Sequence, residues 1–201
     1  MKRIDDRNLF HSDEEFANFR GLIVSNQRSE YLFRSASAGT NRYGRAETVN
    51  KLMRQYDIRT IIDLSGINYR CKSAEFGYAL VQVFSRAIHQ NGPYIIQCDA
   101  GKKRTGFACI ILEALSGTSL DLIIDDYLES YVNNNGLDLA DVAVTWQPYE
   151  RVKSLLQFIT NSSDPSGLAK SAKEYLVKYG MANSEIESLK KAFFNFIISF
   201  F

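Results

Sequence analysis

The stretch Cys98-Asp99-Ala100-Gly101-Lys102-Lys103-Arg104-Thr105-Gly106 gathers a thiol, a hydroxyl, three cations and two glycines. It follows Tyr94-Ile95-Ile96, a short apolar run that reads as a buried strand. It precedes Phe107 to Leu115, a nearly all-apolar stretch of helical length. A loop between the end of a strand and the start of a helix turns successive backbone N–H groups into one concavity, where the helix dipole adds partial positive charge. Such a loop binds a dianion, and it stabilises the thiolate of a cysteine at its mouth. Arg104, six positions on, returns to the same concavity and can grip two phosphate oxygens with its planar fork, a task to which lysine is poorly suited. Gly101 is expected to give the backbone room to approach the anion, and Thr105 to offer its hydroxyl to the sulfur. The implied chemistry is two-step phosphoryl transfer: Cys98 attacks phosphorus in line, a phosphocysteine forms, and water hydrolyses it. Cys98, Arg104 and Thr105 then act on the reacting atoms, while Asp99, Ala100, Gly101, Lys102 and Lys103 line the anion site with Arg104. A buried structural thiol at Cys98 would leave the adjacent Gly, Arg, Thr and Gly unexplained. Cys109, on the apolar helix, and Cys71, without a partner motif, read as bystanders.

The elements that carry this loop are visible as periodicities. Ser12 with Glu15 forms a capping box ahead of Phe16 and Phe19, which predicts a short first helix. Leu22-Ile23-Val24 and Tyr31-Leu32-Phe33, separated by a polar turn around Asn26 to Ser29, predict two strands or a hairpin. Tyr43, Ala46, Val49, Leu52, Met53 and Tyr56 recur at helical spacing and lead into the β-branched run Ile58 to Leu64, a buried strand. Phe76 to Ile88 predicts a helix of about four turns, stopped by Asn91-Gly92-Pro93. Beyond Leu115 everything is helical. Leu120, Ile123, Ile124, Tyr127, Leu128 and Tyr131 mark one helix, and a second has Pro148 in its first turn and Trp146 as a packing anchor. A third starts near Pro165. A last one has Ser184 and Glu187 as its capping box, Gly180 before it, and Leu189, Phe193 and Ile197 inward. Asp125, Asp126 and Glu129 fall on the outer face of their helix and are expected to be solvated. Strands alternating with helices and then helices alone predict one α/β domain over residues 1–201, with a mostly parallel central sheet flanked by helices and a helical portion from roughly 119 onward.

CDAGKKRTGFACIILEALSG resembles the signature of cysteine-dependent tyrosine-phosphatase-like enzymes, in particular the bacterial tyrosine/serine phosphatase family that usually reads HCxAGKDRTG. Asn18-Phe19-Arg20 resembles that family's NFRD start, Tyr31-Leu32-Phe33-Arg34-Ser35 its LYRS strand and Thr60-Ile61-Ile62-Asp63-Leu64 its TIIDL strand. Asp125 to Tyr131 resembles the helix after the signature, and Ala172 to Leu189 the closing helices. The resemblance covers nearly the whole chain and implies a phosphatase-like fold and hydrolysis of phosphate monoesters. There are three departures. Gln97 stands where the family usually has His, Lys103 replaces the Asp of GKDR, and the stretch from Gly66 to Ile96 looks shorter and contains no Asp. Many relatives carry their general acid in that stretch, and a positioned acid contributes about 10²–10⁴-fold. Asp63 and Asp99 are the carboxylates that remain; Asp63 is the candidate acid, with a turn-capping role as its alternative. Arg34 is either a residue of the site rim or half of a buried ion pair.

With 24 basic and 23 acidic residues among 201, the chain has no global attraction to nucleic acid or to anionic membrane, so anion recognition has to be local. Phosphoprotein is the expected substrate. Lys102 and Lys103 beside Arg104 also suit inositol phosphates or phosphoinositide head groups, and phosphate is product and ligand. A phospho-ligand binding module that kept the cradle and lost its acid is the alternative from another class; a sulfur- or arsenate-handling enzyme is a more distant one. His11 and His89 stand alone, so no metal is expected, and nothing implies a cofactor. Three cysteines at unrelated spacings suit a reducing compartment. No apolar leader or membrane span is legible, and the terminal FFNFIISFF is expected to dock on the core. These features together predict a cytoplasmic location, with export by another route left open.

Overall fold

A computed structural model describes residues 2–67 and 70–194. The hairpin comes first: β1 (Arg20–Val24) and β2 (Gln27–Ser35) are antiparallel and joined at Ser25-Asn26, both with positive φ, a tighter turn than the polar run suggested. Then β3 (Thr60–Asp63) and β4 (Tyr94–Gln97) complete a four-stranded sheet in the order β1-β2-β4-β3, with β4 parallel to both neighbours. A parallel strand between two others leaves its C-terminal end at the centre of the sheet edge, where α/β proteins place their ligands.

Alternation along the strands divides the core. Phe33 of β2 and Ile95 of β4 face the cluster with Ala17, Phe19, Val49 and Leu52, under α1 (Asp13–Ala17) and α2 (Ala46–Gln55). Leu32, Ile62, Tyr94 and Ile96 face the larger cluster on the other side. That side is built from α3 (Ala74–Ala87), α4 (Lys103–Leu115), α5 (Leu120–Asn135), α6 (Val142–Thr160), α7 (Leu168–Lys178) and α8 (Asn183–Phe194). Every residue of α4 except Lys103 is buried, as its apolar composition requires. Glu113 lies within it. Burial pushes that carboxyl well above the usual range, and it accepts a hydrogen bond from Ile23 N at 3.5 Å.

The α/β class, the mostly parallel sheet and the helical second half agree with the sequence reading. Some details are corrected. Pro148 lies about two turns inside α6, because Asp141 caps the helix earlier by accepting from Ala143 N at 2.9 Å. Pro148 has no N–H for the carbonyl of Val144, but Val144 is exposed and water can serve it. Trp146 is 63% exposed and anchors nothing. At α8, Glu185 rather than Glu187 reaches back, to Ala182 N at 2.9 Å, while Glu187 pairs with Lys190. Phe193 docks on the core as expected; Ile197 and the rest of the FFNFIISFF run beyond Phe194 lie outside the described residues. Among the described residues no helix is long and apolar enough to cross a membrane.

Candidate active site

Cys98 is the first residue after β4, and α4 begins five residues later. The backbone between them turns back on itself: Gly101 N donates to Cys98 O at 3.0 Å, and Gly106 N to Lys102 O at 2.8 Å. The first turn of a helix has N–H groups without helical partners, and the N-cap residue Lys102 makes no side-chain hydrogen bond to them. They face the concavity as an anion-binding end.

The loop carbonyls are drawn the other way by a buried polar lattice. Asn18 Nδ2 donates to Gly101 O at 2.9 Å and to Ala100 O at 3.3 Å, Arg34 Nη2 to Gly101 O at 2.9 Å, and Asn134 Nδ2 to Ala100 O at 3.3 Å. The Gly101–Lys102 peptide so held has its N–H opposite its braced carbonyl, the polarity a phosphate needs, while the N–H of the Ala100–Gly101 peptide is already given to Cys98 O. Arg34 and Arg20 are in turn held by Asp126: Arg20 Nε donates to Oδ1 at 2.8 Å, and Arg34 Nη1 donates to Oδ2. Ser130 Oγ accepts from both arginines. Burial raises the Asp126 carboxyl, but Arg20 and Arg34 overcome it and hold the group well below the usual range. Burial likewise opposes the Arg34 charge, and Asp126 more than restores it.

Asp126 is therefore not solvated, contrary to the sequence expectation, and Arg34 is the buried ion pair rather than part of the rim. Gly101 has a further reason to be glycine: its φ is +61°, and a Cβ there would lie 2.2 Å from Ser35 O, so the close passage of β2 by itself requires it. Gln97, in the position of the family's usual His, accepts from Ala38 N at 3.0 Å and fixes the chain after β2.

Above this floor lies a cleft of about 680 Å³ lined by Cys98, Asp99, Ala100, Lys102, Lys103 and Arg104, among others. Arg104 Nη1 donates to the carbonyls of Leu64, at 2.9 Å, Ser65, and Ile67, at 3.0 Å; Nη2 donates to Asp99 Oδ2 at 2.8 Å. The guanidinium is thus pre-oriented by bonds from Nη1 and Nη2, none of which uses Nε–H. Lys102 turns away from the loop, donating to Asn135 Oδ1 at 2.8 Å and lying 4.3 Å from the Tyr131 ring centroid. Burial and then its cationic neighbours Arg3, Lys103, Arg151 and Arg45 bring its ammonium down to about 8.

Asp63 is not among the residues that line the cleft. It is exposed, and its Oδ1 accepts from Ser65 N at 2.8 Å, the turn-capping alternative. Thr105 Oγ1 is buried without a hydrogen-bond partner, so the expected contact to the sulfur is not formed. Ser65, missed in the sequence, lines the cleft with a buried hydroxyl that likewise has no partner. Arg3, Arg42, Tyr43, Gln147 and Arg151 also line it, and no motif signalled them. Burial pushes the Cys71 thiol up to about 11 and the Cys109 thiol higher still; both stay protonated at neutral pH, and neither lines this cleft.

No curated protein matches the chain. The segment that carries the loop floor and part of the walls, with β4, the Cys98 loop and the helices from α3 to α8, lies within residues 68–195, which match the family model described as the tyrosine phosphatase family. That match covers more than half of the sequence, and with it a thiol, a fork of guanidinium donors and an outward-braced loop gain a common explanation: the chain belongs to the tyrosine phosphatase family.

Proposed function

We propose that the chain hydrolyses phosphate monoesters through a phosphocysteine on Cys98, with tyrosine- and serine-phosphorylated protein as the leading substrate class. The observation that supports this reading is the cleft floor, which Cys98 and Arg104 both line at the N-terminal end of α4. In the first step the Cys98 sulfur attacks phosphorus, the bond to the leaving oxygen breaks, and that oxygen takes a proton. In the second, water attacks phosphorus, the S–P bond breaks, and phosphate leaves with the thiolate regenerated. Arg104 and the loop amides bind the equatorial oxygens, whose charge is spread in the transition state.

Asp99 is the carboxylate among the described cleft residues, but it is ion-paired with Arg104 and Asp63 lies outside the cleft, so the leaving oxygen takes its proton from water. Asp63→Asn is expected to keep activity within about twofold. Asp99→Asn, which loosens the hold on Arg104 but removes no acid, is expected to lower kcat/KM for an alkyl phosphate and for para-nitrophenyl phosphate by similar factors. A loss at least about tenfold larger on the alkyl phosphate would instead make Asp99 the acid.

An inositol-phosphate substrate is the second reading. It is favoured by the five cations Arg3, Arg42, Lys102, Lys103 and Arg151 that face the cleft besides Arg104. The test of the reaction itself is phosphate release from para-nitrophenyl phosphate together with iodoacetamide labelling, which vanadate is expected to block at Cys98. A folded protein that releases no phosphate leaves phospho-ligand binding as the better description, whereas labelling that ignores vanadate counts against the loop as an anion site.

A further inference from the structure

Residues 2–6 run along the C-terminal end of α5 as a strap. Ile4 N donates to Asn134 O at 3.0 Å, Asn135 Nδ2 to Lys2 O at 2.9 Å, and Arg45 Nη2 to Ile4 O at 2.7 Å. The Ile4 side chain covers Gly136, where a Cβ would lie 2.5 Å from Ile4 Cδ1. Arg45, the deepest of these anchors, is 1% exposed and also donates to Asn133 O and Asn134 Oδ1. These contacts fix the backbone on both sides of one residue, Arg3, whose side chain enters the cleft.

The Arg3 guanidinium carbon lies 3.3 Å from the Tyr43 ring centroid. Its Nη1 is buried and has no hydrogen-bond partner. The nearby carboxylate is Asp5, 3.9 Å from Arg3 Nε, half exposed and equally distant from Arg45. Lys102 leans to the same side of the cleft, and Asp99, the carboxylate in the wall, is already bonded to Arg104. A desolvated guanidinium N–H without an acceptor costs free energy that a ligand acceptor can recover. Cations held close enough to depress the Lys102 ammonium cost more, which an anion also offsets.

We propose that Arg3, carried into the cleft by the strap and flat against Tyr43, forms with Lys102 a second anion subsite that takes a phosphate other than the one seated on the Cys98 loop. The preferred ligands of the cleft then carry two phosphates. This deepens the function proposed above and rests on it only in seating the first phosphate on the loop.

The test is binding by calorimetry to the Cys98→Ser protein, so that turnover plays no part. The probes are inorganic phosphate and myo-inositol hexakisphosphate, which presents phosphates at many spacings. Hexakisphosphate is expected to bind at least tenfold more tightly than phosphate. Arg3→Ala is expected to weaken hexakisphosphate at least tenfold and phosphate less than twofold, with an unchanged melting midpoint. Arg3→Lys, which keeps the charge but loses the fork, should fall between. Tyr43→Leu, which removes the supporting ring but no charge, is expected to weaken hexakisphosphate three- to fivefold. Arg59→Ala, at an exposed cation away from the cleft, controls for net charge and should change neither. If phosphate binds and hexakisphosphate binds no better, or if Arg3→Ala changes either both equally or neither, the subsite is overturned while the loop reading stands. If the folded protein binds neither probe, both fail.

Discussion

Replacing Cys98 by serine is expected to lower phosphate release from para-nitrophenyl phosphate by about 10⁴- to 10⁶-fold, the scale on which loss of a nucleophile is felt in other hydrolases. Sulfur and oxygen differ little in size, so the loop geometry survives the change. What is lost is the nucleophile's readiness. A serine hydroxyl needs a neighbouring base to give up its proton. The described cleft offers no histidine, and its carboxylate, Asp99, is bonded to Arg104. Binding should follow the opposite course: Arg104 and the amides are untouched, so phosphate affinity is expected to stay within a few-fold. A serine variant that retains more than about a hundredth of wild-type kcat would sink the phosphocysteine route, whatever its affinity.

The second large effect concerns stability. Asp126→Asn leaves Arg34 buried without its paired carboxylate and Arg20 with only Glu129, at 3.4 Å, and breaking a buried pair from one side costs about 3–5 kcal/mol. Urea denaturation read by far-ultraviolet dichroism checks this; a loss below about 1 kcal/mol, the scale of an exposed pair, would mean that the ion cluster contributes little. A pH dependence follows from the same group. The folded Asp126 carboxyl is held below its usual range, so its contribution is complete above the unfolded value of about 4 and is lost as pH falls below it. Wild-type stability is therefore expected to decline from about pH 5 toward pH 3 more steeply than that of Asp126→Asn. Parallel curves would contradict the assignment.

Asp126 also shows where sequence reading ends. The helical pattern of α5 is complete without it, so periodicity alone places it outside. Its partners come from β1 and β2, about a hundred residues earlier, and they meet only because of an irregular register. The shift between Gly21 and Ile23 sets Arg20 opposite Arg34, where a plain two-residue hairpin would set it opposite Tyr31. Two arginines facing each other across a strand pair demand a carboxylate, but that signal appears only once the bulge is known. The sheet, the helices and the Cys98 loop were legible because each is written in consecutive residues: a strand run, a turn with its glycine, an apolar helix. The cleft walls were not. Arg3, Tyr43 and Arg151 come from three separate segments and share no local pattern, and Pro148 misled because a proline inside a helix can be tolerated where solvent serves the freed carbonyl.

The burial of α4 has a consequence for timescales. A helix with solvent on no face can exchange its amide hydrogens only when most of the molecule opens, so those amides should be among the slowest to exchange. The Cys98 loop is fastened to this helix at one end and to the central strand β4 at the other, which makes the floor of the cleft one of the least deformable parts of the fold. The strap at residues 2–6, the approach to α2 around Tyr43 and the first turns of α6 are held by fewer contacts with the core, and they open at lower cost. Adaptation to ligands of different shape then falls to the walls, on the fast end of the exchange spectrum, while the reacting centre keeps one geometry for all of them.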